Sequence, residues 1–107
     1  MLQTEKIQQA IERVIAAANR PSKVILFGSY ARGDAGENSD IDIMVVEPVV
    51  ADRAQEMQRL QEAIGWVGVD VDVLVYSEAE FEQRRNWCST PVYWALREGR
   101  VVYEHRQ

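Results

Sequence analysis

The stretch of sequence that decides the fold is residues 24–46, VILFGSYARGDAGENSDIDIMVV. It opens with a continuous apolar run at 24–27, which is typical of a central strand buried on both faces. Residues 28–39 are rich in Gly, Asp, Asn and Ser, and this composition predicts a loop or a short turn of helix. Residues 40–46 alternate in polarity and predict a second strand. The segment therefore places a loop between two strands.

Helix and strand patterns continue on both sides of this segment. Capping residues mark several helix ends: Thr4 before the first helix, a Ser-x-x-Glu capping box at 77–80, Pro91 in a first turn and Gly99 after a last one. The predicted helices are 5–19, 50–64, one opening at Ser77 and 91–98, and the further strands are 69–76 and 101–103. The order αβ(loop)βαβααβ predicts an α/β or α+β domain with a small mixed sheet.

Composition and charge narrow the classes of function. The 107 residues suit one domain, residues 1–107, and 47% hydrophobic with 27% charged residues is ordinary for a soluble globular protein. A net charge of −5 disfavours direct binding of nucleic acid and suits a basic protein partner. The chain has neither a bilayer-length apolar run nor a signal-peptide layout, and its single cysteine excludes an internal disulfide. We therefore expect a cytoplasmic protein that binds no membrane.

Two acidic strands carry the candidate chemistry. Because side chains alternate along a strand, Asp40 and Asp42 share one face with Met44 and Val46, roughly 7 Å apart at their Cα atoms. The same alternation puts Asp70 and Asp72 on the face of Leu74 and Tyr76. If the two strands are neighbours, up to four carboxylates converge at one end of one sheet face.

A cluster of carboxylates favours a metal site. Like charges held close repel and raise each other's pKa, and a divalent cation relieves that repulsion. Two such ions ~3.5–4 Å apart clamp the attacking and leaving oxygens of a phosphoryl or nucleotidyl transfer. The alternative is a solvated strand face, but both strands continue on that face with apolar residues. The pattern therefore favours a half-covered cleft with an acidic mouth.

A Gly-Ser pair follows the first buried strand directly. Gly28 permits a tight turn and close approach of backbone N–H groups to an anion, and Ser29 adds a hydroxyl donor at a potential helix N-terminus. Alone this pair is most often a plain turn. Together with Asp40-x-Asp42 ten residues further on, it forms a much more specific signature.

The segment GSYARGDAGENSDIDIMV resembles the minimal nucleotidyltransferase (MNT) family of the DNA polymerase β-like nucleotidyltransferase superfamily, which includes the antitoxins paired with HEPN-domain toxins. The resemblance also covers Asp72 in VDVLV and the tail FEQRRNWCSTPVYWALREGRVVYE, and spans roughly residues 22–104. It implies the polymerase β-like fold, with a small mixed β-sheet and helices packed mainly on one face.

The resemblance also implies roles for individual residues. Asp72 is preferred over Asp70 as the third carboxylate because the family's third acid precedes an apolar run, here residues 73–75. Arg32 also matches the family loop, where it contacts phosphate or, as we favour, pairs with a nearby acid such as Asp34 or Asp40. The implied metal ligands and catalytic residues are Asp40, Asp42 and Asp72, and the triphosphate-binding pair is Gly28 and Ser29.

The function implied by the resemblance is transfer of AMP from ATP, with two Mg²⁺ ions, onto a tyrosine hydroxyl of a partner HEPN toxin. The chain would then act as an antitoxin. Two alternatives stay open: neutralisation of the partner by contact alone, and nucleotidyl transfer to a small molecule. The complete set of acids argues against the first, and the lack of sequence for a further domain argues against the second. Trp66, Trp87 and Trp94 are able to stack on a nucleobase, but such aromatic residues more often belong to the core or to a partner interface.

Overall fold

A computed structural model describes residues 2–33 and 40–105 of the chain. Four strands form one mixed sheet in the order β3-β2-β1-β4. The predicted order of elements is confirmed, and a short helix stands in the predicted loop. In chain order the elements are α1 (Leu2–Ala17), β1 (Lys23–Phe27), α2 (Ser29–Arg32), β2 (Ile41–Glu47), α3 (Arg53–Ile64), β3 (Val71–Ser77), α4 (Glu78–Arg84), α5 (Pro91–Glu98) and β4 (Arg100–Glu104).

The sheet combines antiparallel and parallel pairing. β1 lies antiparallel to both β2 and β4, whereas β2 and β3 are parallel and are connected through α3. A parallel pair needs such a crossover because its connection must return to the starting edge. The predicted mixed sheet is confirmed, and the last strand lies at one edge as expected.

Each face of the sheet packs against helices. One face carries the apolar residues of the long helices α1 and α3, which contact Ile41, Ile43 and Val45 of β2. The other face packs Met44 and Val46 against the short helices α4 and α5. The predicted alternation in β2 is therefore confirmed, and the larger helices lie on one face while two short ones cover part of the other.

Capping residues in the sequence mark the ends of the short helices, but not the start of α1. Ser77 and Glu80 form the predicted capping box of α4, and Thr90 caps α5 ahead of Pro91. The predicted N-cap at Thr4 is wrong, because α1 already begins at Leu2. Leu, Gln, Glu and Lys around this position are good helix formers, and one Thr inside a helix costs less than about 1 kcal/mol. A membrane-spanning helix is not found in the described parts of the chain.

One carboxyl group is buried where β2 ends. The Glu47 side chain is 1% exposed and accepts a hydrogen bond from the backbone N–H of Asn19, 2.9 Å away, just after α1. Burial, together with a hydrogen bond to Glu56 of α3, raises the pKa of Glu47 to about 7. Glu56 is in turn held by Arg59, which lowers the pKa of Glu56. Glu47 therefore connects β2 to the end of α1 through Asn19 and to α3 through the proton that it shares with Glu56.

We expect this network to make stability fall as pH rises. A raised pKa means that the folded state holds its proton more tightly, so the contribution is fully present below pH 4.5 and is lost as the pH passes about 7. Glu47→Gln keeps the hydrogen bonds without the charge. It should remove this slope and raise the free energy of unfolding at pH 8 by about 1–3 kcal/mol, part of the effect being offset by Glu56. Urea unfolding between pH 5 and 8, with exposed Glu62→Gln as control, measures this; an unchanged slope would contradict the assignment.

Candidate active site

The two acidic strands lie side by side. In the parallel pair of β2 and β3, Asp42 stands directly opposite Asp72. The pairing extends one step before β3, because the backbone N–H of Ile41 donates to the carbonyl oxygen of Asp70, 2.9 Å away. Asp40 directly precedes β2. The structure therefore brings both Asp-x-Asp pairs together at one edge of the sheet, as the sequence predicts.

Gly28 is placed against the Asp42 side chain. It follows β1 with a φ of +78°, which L side chains rarely adopt, and Phe27 before it pairs with Asp42 across the antiparallel strands. A Cβ atom at Gly28 would overlap Oδ2 of Asp42 and lie 3.1 Å from its Cγ. Both the backbone conformation and the space therefore require glycine at this position.

The turn after Gly28 begins α2. The backbone N–H of Arg32 donates to the carbonyl oxygen of Gly28, 3.1 Å away, while Tyr30 and Ala31 pack on the core face of α1 and α3. The side chain of Ser29, in the first turn of α2, lies outside what the structure describes, so its predicted contact with triphosphate stays a prediction. The backbone nevertheless turns next to the carboxylates, where the sequence predicts phosphate binding.

The carboxylates act on one another electrostatically. Partial burial is the main cause that raises the pKa of Asp42, followed by the charges of Asp72 and Asp40, while Arg32 opposes the rise. Burial also raises the pKa of Asp72, together with the charge of Asp40, a hydrogen bond to Asp40 and the charge of Asp70. Like charges are thus held within mutual influence, at a cost that a bound cation would relieve.

The donor chemistry of this cluster suits a hard divalent cation. Carboxylate oxygens are the ligands that Mg²⁺ prefers, usually one or two of them together with waters and substrate phosphates. Within residues 2–33 and 40–105, no group of three or more His, Cys, Asp or Glu side chains is arranged so that it could hold a metal ion. Metal binding by Asp40, Asp42 and Asp72 therefore stays a prediction, which the register of Asp42 opposite Asp72 supports.

Arg32 pairs with an acid that the sequence does not point to. Its Nη1 atom lies 3.6 Å from Oε1 of Glu98, the last residue of α5. Of the two partners that the sequence suggests, Asp34 lies outside the described residues. Glu98 is 66 residues further along the chain, and no spacing or motif links it to the Gly-Ser loop. Only the packing of α5 on the sheet brings the two together.

The site is open to solvent. Asp40 and Asp72 are exposed and Asp42 is half-buried. Three cavities in the described part of the chain lie elsewhere: one of about 600 Å³ borders Glu47 and Glu56, one of about 440 Å³ borders Tyr103 and His105, and one of about 280 Å³ borders Lys23 and Phe81. We assign the site from the carboxylates, because cavity size alone carries no chemistry.

The three tryptophans lie at the surface. Trp66 is 70% exposed, Trp87 51% and Trp94 48%. Trp94 packs edge-to-face on Tyr93 with ring centroids 5.0 Å apart, and its Nε1–H donates to the carbonyl oxygen of Cys88. These rings are therefore available for an interface or for stacking and do not build the core.

Comparison with known proteins identifies the family. Residues 7–89 match the nucleotidyltransferase domain family, a span that includes every candidate site residue. A Methanocaldococcus jannaschii protein named a protein adenylyltransferase is 42% identical over 84 residues, covering 78% of this chain and 80% of that protein. A second protein of that name and organism is 36% identical over 53 residues, covering 50% of this chain and 52% of the relative. The chain therefore belongs to the nucleotidyltransferase family.

Solved structures share the fold. A nucleotidyltransferase structure from Sulfolobus solfataricus aligns with a TM-score of 0.66 at 23% identity, over 97% of this chain and 85% of that one. A toxin–antitoxin structure with AMP-PNP gives 0.60 at 24% identity, over 94% and 75% of the two chains. A complex of tri-AMPylated Shewanella oneidensis HEPN toxin with MNT antitoxin gives 0.60 at 21% identity, over 98% of this chain and 74% of that one. The predicted fold is confirmed.

We expect Gly28 to be far less tolerant of a side chain than Gly33. Both have positive φ, but no heavy atom of the described chain lies within 4 Å of a Cβ built at Gly33. Gly33→Ala should cost about 1–2 kcal/mol from backbone strain. Gly28→Ala should cost more and should also displace the Asp42 carboxylate and abolish nucleotidyl transfer. Urea unfolding and a transfer assay on both variants measure this; equal losses of stability and activity would contradict the close approach.

Proposed function

We propose that this chain transfers AMP from ATP onto a tyrosine hydroxyl of a HEPN-domain toxin and thereby acts as its antitoxin. The observation that carries the proposal is the register of Asp42 beside Asp72, next to the tight turn at Gly28. Carboxylates beside a phosphate-binding turn are the parts that nucleotidyl transfer requires. We further propose that the chain forms a single domain and works in the cytoplasm.

The reaction balances in one displacement. The tyrosine oxygen attacks the α-phosphorus of ATP, a new O–P bond forms, and the bond between the α-phosphorus and the bridging oxygen of pyrophosphate breaks. Asp72, exposed and with a raised pKa, accepts the proton of the attacking hydroxyl. Two Mg²⁺ ions, held by Asp40, Asp42 and Asp72 when bound, would stabilise the attacking oxygen and the triphosphate charge.

The nucleotide would lie on the turn after β1. Gly28, whose backbone lies against the Asp42 side chain, and the first turn of α2 would offer N–H groups to the phosphates, and Ser29 would add its hydroxyl. Asp42, the most buried of the three acids, would hold its position through its contact with Gly28. Its rigidity would keep the reacting groups aligned.

The relatives support AMP and a protein acceptor. The two M. jannaschii relatives are named protein adenylyltransferases, and structures of this fold include a toxin–antitoxin with AMP-PNP and an AMPylated HEPN toxin bound to an MNT antitoxin. The open position of Asp40 and Asp72 also suits an acceptor that brings its own surface. A small molecule would instead need a pocket that encloses most of it.

Substitution of single carboxylates separates the proposed roles. With a candidate HEPN-domain partner, ATP and Mg²⁺, the unaltered chain should add AMP to the partner, as followed by intact-mass spectrometry. Asp42→Asn and Asp72→Asn should reduce the rate at least about 10²-fold, since each removes a charge that acts in the transition state. Asp70→Asn, the matched control two residues earlier in the chain, should retain most activity. Equal losses for Asp70→Asn and Asp72→Asn would contradict the choice of the third carboxylate.

The contact-only alternative makes a different prediction in cells. If catalysis neutralises the toxin, Asp42→Asn should fail to protect cells that express the partner, although it folds and binds the partner as before. Protection by Asp42→Asn, with no change in the partner's mass, would overturn the catalytic proposal in favour of neutralisation by contact. Mass mapping of the modified peptide then decides whether tyrosine is the acceptor.

A further inference from the structure

The ion pair between Arg32 and Glu98 joins α2, which follows the Gly-Ser turn, to α5, which packs on β1. Arg32 is the last residue of α2, the helix that follows the Gly-Ser turn, and Glu98 is the last residue of α5. Their side chains are 42% and 41% exposed, and Nη1 of Arg32 lies 3.6 Å from Oε1 of Glu98. The pair therefore remains within reach of a solvent-borne ligand.

Both partners are carried on well-anchored backbone. α2 is closed by the hydrogen bond from Arg32 to Gly28 and rests on the core through Tyr30. The end of α5 presses on β1, since a Cβ atom at Gly99 would lie 2.8 Å from the carbonyl oxygen of Leu26. The distance between the two charged groups is thus set by packing and is not left to two free loops.

The guanidinium also lies close to the acidic cluster. Its positive charge lowers the pKa of Asp42 against the larger effects that raise it. Arg32 therefore brings a positive charge near Asp42 at the end of α2, the helix that follows the turn where the proposed function puts the triphosphate. Guanidinium groups bind phosphate oxygens in a bidentate geometry that a carboxylate partner also uses, so one anion can replace the other.

We infer that Glu98 is a positioning residue that holds Arg32 beside the carboxylates, and that an incoming nucleoside triphosphate displaces Glu98 from the guanidinium. The inference rests on the proposed nucleotide-binding function. It adds that the Glu98 carboxylate competes with the triphosphate for the guanidinium of Arg32. Glu98 would then weaken triphosphate binding while keeping Arg32 oriented before binding. It would act through Arg32 and would not touch the reacting atoms.

The test compares removal of two similar surface charges. Glu98→Gln and Glu104→Gln each remove one negative charge from an exposed ion pair. Glu104 pairs with Lys23 at 3.3 Å. Lys23 begins β1 and Phe27, next to the site, ends it, so this pair lies roughly 13 Å along the strand from the site. Binding of AMP-PNP with Mg²⁺ to the full chain is measured by calorimetry for both variants, for Arg32→Gln, and for Arg32→Gln combined with Glu98→Gln.

We expect Glu98→Gln to lower the Kd for AMP-PNP by about twofold to fivefold, as suits loss of an exposed pair. Glu104→Gln should leave the Kd unchanged, and the gain should shrink at high salt because the competition is electrostatic. In the Arg32→Gln background, Glu98→Gln should have no effect. In steady-state assays Glu98→Gln should lower the KM for ATP and leave kcat unaltered.

Three results would overturn the inference. An unchanged Kd for Glu98→Gln would mean that the pair serves only to tether α5, which a lower thermal stability with normal binding would reveal. An equal gain in the presence and absence of Arg32 would mean that Glu98 acts by its general charge. If the unaltered chain does not bind AMP-PNP at all, the proposed function fails together with this inference, whereas normal binding without a Glu98 effect leaves the function intact. Should Arg32→Gln unfold, the comparison of Glu98→Gln with Glu104→Gln decides.

Discussion

The parallel pairing of β2 with β3 is the constraint on which the candidate site depends. It sets Asp42 beside Asp72 at one end of a sheet whose buried positions are mostly apolar. Burial first and the charges of neighbouring carboxylates second raise the pKa of both carboxyl groups, which shows that holding them together is unfavourable. The apolar residues that follow on both strands supply the burial that keeps the strands, and hence the acids, in register.

The same sheet connects stability with the chemistry of the site. Ile41, Ile43 and Val45 anchor one face of β2 in the core of α1 and α3, which leaves the other face for Asp42 at one end and Met44 further along. Glu47 ends that strand and joins it to the helices through a shared proton. A single strand therefore carries an acidic site at its start and a titrating structural contact at its end.

Glycine and arginine shape the site from the turn after β1. Gly28 lets the backbone approach the Asp42 carboxylate more closely than any side chain permits, and Arg32 brings a positive charge to the same region. Glu98 reaches that arginine from α5. The balance of charges at the site thus draws on three separate parts of the chain, although the carboxylates themselves come from two neighbouring strands.

The sequence by itself determined the order of elements, the faces of the acidic strands and the family. Alternation along residues 40–46 and 69–76 specified which residues share a face, because side-chain direction in a strand follows a fixed period. The capping box at Ser77 marked the start of α4, and Pro91 and Gly99 marked the two ends of α5. The predicted N-cap at Thr4 was wrong because the strong helix formers around it extend α1 back to Leu2.

Only the tertiary structure decided which strands are neighbours, that Asp42 faces Asp72 across a parallel pair, and that Gly28 contacts Asp42. It alone joined Arg32 to Glu98 and buried Glu47 against Asn19 and Glu56. The physical reason is that local periodicity fixes the direction of a side chain relative to its own backbone. Contacts between residues far apart in the chain depend on how the whole core packs, which no short pattern encodes.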